Sequence, residues 1–203
     1  MQNQNQNQKE QKEIISPSQH LFINFMADID ERRTSLLLSV ISDYLKTGVI
    51  KKLTINISSL GGSVFHAISL HNFIKGLQNV EVHTHNFGQI DSSANIIFLA
   101  GKIRTCSSAA TFLFHGVKRI FYEKSAVNRQ ELKEHLESLN SDINKLAEII
   151  SISTNHSKNE VMKFFKRQKV FTANEAKEWG LVQEIIDQTI PSGFPVIVIT
   201  NQS

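Results

Sequence analysis

The chain has 203 residues, 40% of them hydrophobic and 20% charged, and carries a net charge of +3. That length is enough for one domain with a sizeable core, and the composition is that of an ordinary soluble globular protein. The charges are mixed along the chain, so no clustered basic face calls for nucleic acid; no apolar run reaches a membrane span; and the one cysteine, Cys106, cannot close an internal disulfide and fits a reducing cytoplasm.

The opening stretch MQNQNQNQKEQKE has neither the basic start nor the apolar run of a signal peptide. Residues 1–17 read as a disordered Gln/Asn-rich tract and 18–203 as a single domain. HLFINF (20–25) predicts a strand and RRTSLLLSVISDYLK a helix stopped near Gly48. KLTINIS (52–58) alternates and is β-branched, predicting a second strand. After SLGG, the stretch SVFHAISLHNFIKGL predicts a helix packed on a sheet, and VEVHTHNF (80–87) a third strand. GQIDSSANIIFLAG follows directly, with an apolar run from Ala94 to Gly101 broken only by Asn95, which predicts a buried helix stopped by Gly101. TFLFHG (111–116) predicts a fourth strand ending in His115. Strand and helix alternate throughout this half, the pattern of an α/β fold with right-handed crossovers.

The second half differs. In 128–150, Leu132, Leu136, Leu139, Ile143, Leu146 and Ile150 recur every three or four residues, predicting a long helix with a narrow apolar seam. The seam fits a helix of another subunit or the chain's own domain equally well. A shorter helix ends near Phe165, TANEAKEWG carries a Thr172/Glu175 capping box with a Gly180 stop, and FPVIVIT (194–200) is a last strand or an extended tail.

Two strand-to-helix junctions hold the residues suited to chemistry. Gly61-Gly62 follows one strand, leaving backbone amides free to turn toward a ligand. Ser92 follows the next, at the start of a helix whose dipole favours a reactive hydroxyl, with the amide of Ser93 beside it. Two convergent N–H groups next to a hydroxyl are the parts of an oxyanion hole, and His115 is positioned to be the base. Singly these are commonplace: serine is a common helix cap, and Asp91 also suits a cap. Together, at successive strand ends of one sheet, they point to serine-nucleophile chemistry.

The stretches INISSLGGSVFHAISLHNFI, NFGQIDSSANIIFLAGKIRTCSSAATFLFHG and VFTANEAKEWGLV resemble the proteolytic subunit of the Clp protease (ClpP) family. That family runs strand, N-S-P-G-G, then G-x-A-A-S-M, an apolar helix ending A-G, a strand ending M-I-H, and a segment containing S-A-x-E-A-x-E-Y-G-L. The likeness spans roughly Leu21 to Ile186 in the same order. It implies a ClpP/crotonase-like core of repeated β-β-α units with a protruding handle helix. It implies Ser92 as nucleophile, His115 as general base, and the amides of Gly62 and Ser93 as the oxyanion hole. It further implies peptide or unfolded-protein substrates, a homo-oligomeric ring (heptameric in the family), an AAA+ unfoldase partner, a cytoplasmic location, and no cofactor or metal. The sequence has no G-x-x-x-x-G-K-[ST] loop, so ATP would be handled by that partner.

Some positions depart from the family. The acidic third member of the triad falls at Gln168, which can accept a hydrogen bond but brings no charge; a carboxylate such as Glu160 or Glu184 is the alternative source. Leu60 replaces the turn proline, and Ile90 and Asp91 replace small residues, so a negative charge stands beside the nucleophile. After His115, GVKRIFYEKSAVNRQ has one glycine where the family has a Gly-rich strand. Two other readings follow: a catalytically weakened or inactive ring or scaffold subunit, marked by Gln168, and a crotonase-type acyl-CoA enzyme, against which Ser92 and His115 in peptidase register argue.

Overall fold

The computed structural model describes residues 15–118 and 127–203. The predicted tract 1–17 lies outside them except for its last three residues, as does most of the segment joining His115 to the long helix.

Alternating and β-branched sequence makes three central strands, β1 (His20–Met26), β2 (Lys52–Ser59) and β3 (Glu81–Asp91). They pair in parallel, with Leu21, Ile23, Phe25, Leu53, Ile55, Ile57 and Val82 in the core. The crossovers are α1 (Glu31–Leu45), started by an Asp30 cap, and α2 (Val64–Lys75), started by a Ser63 cap. A five-residue α3 (Ala94–Phe98) then leads into β4 (Ile103–Cys106) and β5 (Thr111–Phe114). Beyond the undescribed segment come α4 (Arg129–Thr154), α5 (Lys158–Lys166), β6 (Lys169–Thr172), α6 (Ala173–Glu178), β7 (Glu184–Ile185) and β8 (Val196–Thr200). The sheet runs β6-β5-β3-β2-β1-β8, parallel except for β5–β6.

One strand divides the sheet. The first half of β3 pairs with β4 and its last three residues with β5, with a register shift opposite β2 between them. Asn86 sits at the shift, where it donates to the Thr111 carbonyl (2.8 Å) and accepts from the Gly88 amide (3.0 Å). The fold class is therefore the expected one, an α/β core with a central sheet, crossover helices and a long α4 that fits the handle.

The local differences have physical causes. β3 runs four residues past its predicted end because β5 pairs with Gln89–Asp91, a long-range contact that overrides Gly88. β4, β6 and β7 are two to four residues long and too short to show a period. The predicted helix 94–101 closes at Phe98, three residues before Gly101. Asp91 is the last residue of β3 rather than a helix cap, and Ser93 takes the N-cap position without a side-chain cap bond. The capping box of α6 and the positive φ of Gly180 are as expected.

The seam of α4 splits in two. Leu146 and Ile150 are buried in the core, whereas Leu132 and Leu136 are 53% and 58% exposed. Among the described residues, no helix is long and apolar enough to cross a membrane.

Candidate active site

The turn after β2 is built for close approach. Ile29 donates to the Gly61 carbonyl and accepts from the Ser63 amide, both at 2.8 Å. The Gly62 amide between them has no hydrogen-bond partner among the described residues. At φ +148, a side chain on Gly62 would put its Cβ 2.3 Å from the Ile29 carbonyl oxygen. Only glycine fits there.

Ser92 lies on a strained elbow at the end of β3. Its φ is +54, a left-handed conformation that a non-glycine residue adopts only when its surroundings impose it. The restraints are on both sides of the residue. The Ser92 amide donates to the Leu113 carbonyl of β5 (2.9 Å), while the Ser92 carbonyl accepts from the Asn95 amide (3.2 Å) and from Asn95 Nδ2 (3.0 Å). Asn95 Nδ2 also reaches the Leu113 carbonyl (2.9 Å), so one fully buried amide ties elbow to strand. The Ser93 hydroxyl donates to the Gly62 carbonyl (3.1 Å), fastening the two junctions together. The Ser93 amide, like that of Gly62, donates to nothing among the described residues. The five-residue α3 contributes little dipole; the elbow geometry, not a helix terminus, presents Ser92.

Ser92, Gly62 and His115 line one cavity of about 410 Å³. Ile96, Phe114, Val117, Leu146, Ile150 and Phe165 give it apolar walls, and Lys118 and Asp142 also reach it. His115 does not hydrogen-bond Ser92; its Nδ1 lies 2.7 Å from the Gly116 carbonyl. A carbonyl only accepts, so Nδ1 carries the proton of the neutral ring and Nε2 keeps a free lone pair. Gly116 is itself packed tightly, since a Cβ there would come within 2.8 Å of the Phe165 carbonyl oxygen.

The third position stands apart. Phe114 pairs with Lys169, so the same antiparallel register carried one residue further sets Gln168 across from His115. The Gln168 side chain is nevertheless exposed, forms no part of the cavity wall and makes no bond to His115. Glu160 is engaged with the Ser157 amide and hydroxyl, and Glu184 lines a separate cavity with His20. Asp91, by contrast, is 6% exposed beside the elbow. Burial pushes its carboxyl above the usual carboxylate range, opposed by a hydrogen bond from Gln89 (2.7 Å) and by attraction to His115. Among the described residues, no cluster of three His, Cys, Asp or Glu side chains is arranged to hold a metal.

Two contributors carry little signal in the sequence. Asn95 is the single polar residue in an apolar run, a hint of a buried hydrogen-bonding task. Gly116 gives no such sign, because its need arises from a contact 49 positions away.

Comparison with protein families matches residues 6–189 to Clp protease. The chain belongs to the Clp protease family. It is 24% identical over 140 residues to ATP-dependent Clp protease proteolytic subunit 2 of Frankia casuarinae, an alignment covering 67% of this chain and 61% of that relative. It is 25% identical over 162 residues to proteolytic subunit 1 of Streptomyces coelicolor, covering 78% of this chain and 69% of that relative.

Proposed function

We propose that this chain is a serine endopeptidase of the Clp type, with Ser92 as nucleophile and His115 as base. The observation that supports this most is the pair of undonated amides, Gly62 and Ser93, beside a strained serine in a cavity shared with a histidine whose Nε2 is free. In the reaction, Ser92 Oγ attacks the peptide carbonyl carbon while His115 Nε2 takes the hydroxyl proton. The carbonyl oxygen becomes an oxyanion held by the two amides. As the C–N bond breaks, His115 returns the proton to the leaving amine. Water, deprotonated by His115, then attacks the acyl-enzyme and frees Ser92. The apolar walls suit a substrate with an apolar side chain at the cleaved residue.

The family's architecture supports a wider proposal: a homo-oligomeric, cytoplasmic ring that encloses the sites and receives unfolded chains from an AAA+ unfoldase. The exposed leucines of α4 are consistent with self-association. A second reading, a scaffold subunit without activity, draws on Gln168, which is uncharged, exposed and makes no bond to His115. The two separate on hydrolysis of a short unstructured peptide: the peptidase reading predicts cleavage lost in His115→Ala, and the scaffold reading predicts none in either protein.

A further inference from the structure

The structure assigns the anionic partner of His115 to Asp91, on the neighbouring strand, rather than to the residue at position 168. This inference rests on the peptidase reading of Ser92 and names the group that stabilises the imidazolium formed during proton transfer.

Three observations carry it. First, β3 and β5 pair with Asp91 opposite Leu113, and His115 follows Leu113 by two residues. Paired residues share a face, so Asp91 and Leu113 project to the same side of the sheet, and His115 stands two residues on, one past the end of β5. Second, the Asp91 carboxyl is buried, with Oδ2 held by Gln89 and Oδ1 without a hydrogen-bond partner among the described residues. A buried carboxylate left half unpartnered is costly to keep, and a cation forming nearby relieves that cost. Third, a triad acid does two jobs, fixing the tautomer and stabilising the imidazolium. Here the Gly116 carbonyl already fixes the tautomer, so the missing element is charge alone, which acts without direct contact.

The other charged groups around His115, among the described residues, fit less well. Lys118 has the wrong sign. Asp142 is partly exposed, with Lys145 Nζ 3.8 Å from it. Lys169, cross-strand from Phe114, is bound to Glu175 at 2.8 Å. Asp91 is the more deeply buried carboxylate, and a proton gained by His115 would be attracted to it. Asp91 is thus a positioning and charge-supplying residue, not one that touches substrate.

The test is the rate at which a fluorophosphonate probe labels the full chain, followed from neutral to mildly acidic pH. Asp91→Asn is expected to slow labelling about tenfold or more, short of the ~10⁴-fold loss when a directly bonded triad aspartate is neutralised. Its acid limb is expected to move to lower pH, which a merely structural defect would not produce. Gln168→Asp, across the strand from His115, is expected to recover most of that loss in the double variant and to raise the unmodified chain's rate several-fold at most. Labelling by Asp91→Asn as fast as or faster than the unmodified chain overturns the inference. So does a loss that Gln168→Asp does not recover, or a larger loss in Asp142→Asn. If Asp91→Asn does not fold, Gln168→Asp alone decides: a several-fold gain supports Asp91, and a gain of about 100-fold or more shows that the charge was missing. If no variant labels more than Ser92→Ala, the peptidase reading itself falls, and this inference with it.

Discussion

The two sides of the candidate site are built by different means. On the side of β2 and β3, Gly62, Ser92 and Ser93 present backbone amides and a hydroxyl whose placement is set by a turn and an elbow. On the β5 side, the histidine's tautomer comes from its own neighbour Gly116, and the countercharge proposed for it, Asp91, stands on a different strand. The first side depends on chain geometry, which tolerates change in nearly every side chain except glycine. The second, on the peptidase proposal, depends on one charge, which could stand at either position as long as it faces His115. That contrast teaches how a chain of this family can carry an uncharged Gln168 while the turn at Gly62 and the elbow at Ser92 keep their form.

Breaking the geometric side is expected to have the largest effect. Gly62→Ala places a Cβ against the Ile29 carbonyl at a φ that disfavours side chains. It should abolish labelling at Ser92 and lower stability by at least about 1–3 kcal/mol, read by chemical denaturation. Asn95→Ala removes the bonds that tie the elbow to β5. The expected cost is about 1–3 kcal/mol of stability and, because Ser92 shifts, up to about 10²-fold in labelling rate. A rate loss without any stability loss would show that Asn95 does not hold the elbow.

Acid sharpens the comparison from another region. His20 and His85 line a separate cavity and are held neutral by burial, each at about 4. His20 bonds Thr54 (2.8 Å), and His85 bonds Thr105 (2.8 Å) and Ser107 (3.2 Å). Above about pH 6.5 these rings are neutral in both folded and unfolded chains and contribute no difference. Below it the unfolded chain takes up protons first, so stability should fall between about pH 6.5 and pH 4. The upper bound is about 3 kcal/mol per histidine. Replacing His85 with Gln should flatten this dependence in urea titrations, and an unchanged slope would refute it. The smallest effect is expected at the exposed leucines of α4: Leu132→Gln with Leu136→Gln should change unfolding free energy by less than about 0.5 kcal/mol per site. Any loss of self-association, read by sedimentation velocity, would mark that half of α4 as an interface.

The fold was legible where elements are long and periodic. β1, β2, α1, α2 and α4 each carry enough alternation or helical spacing to declare themselves, and the Thr172/Glu175 capping box marks the start of α6. β4, β6 and β7 were not legible, since two to four residues become strands only because a partner is already in place. In the candidate site, what was legible from the junctions and their order is that Ser92, Gly62 and His115 come together, and they line one cavity. The face of the sheet taken by Asp91 was not. In the sequence it reads as a helix cap, and only the pairing of β3 with β5 shows which face its carboxyl shares.

The most direct test of the central claim is to label the full chain with a fluorophosphonate probe and locate the adduct by peptide mass spectrometry. The account predicts a single adduct on Ser92, absent in Ser92→Ala. A folded protein that acquires no adduct, or acquires it elsewhere with Ser92→Ala labelled equally, would contradict it.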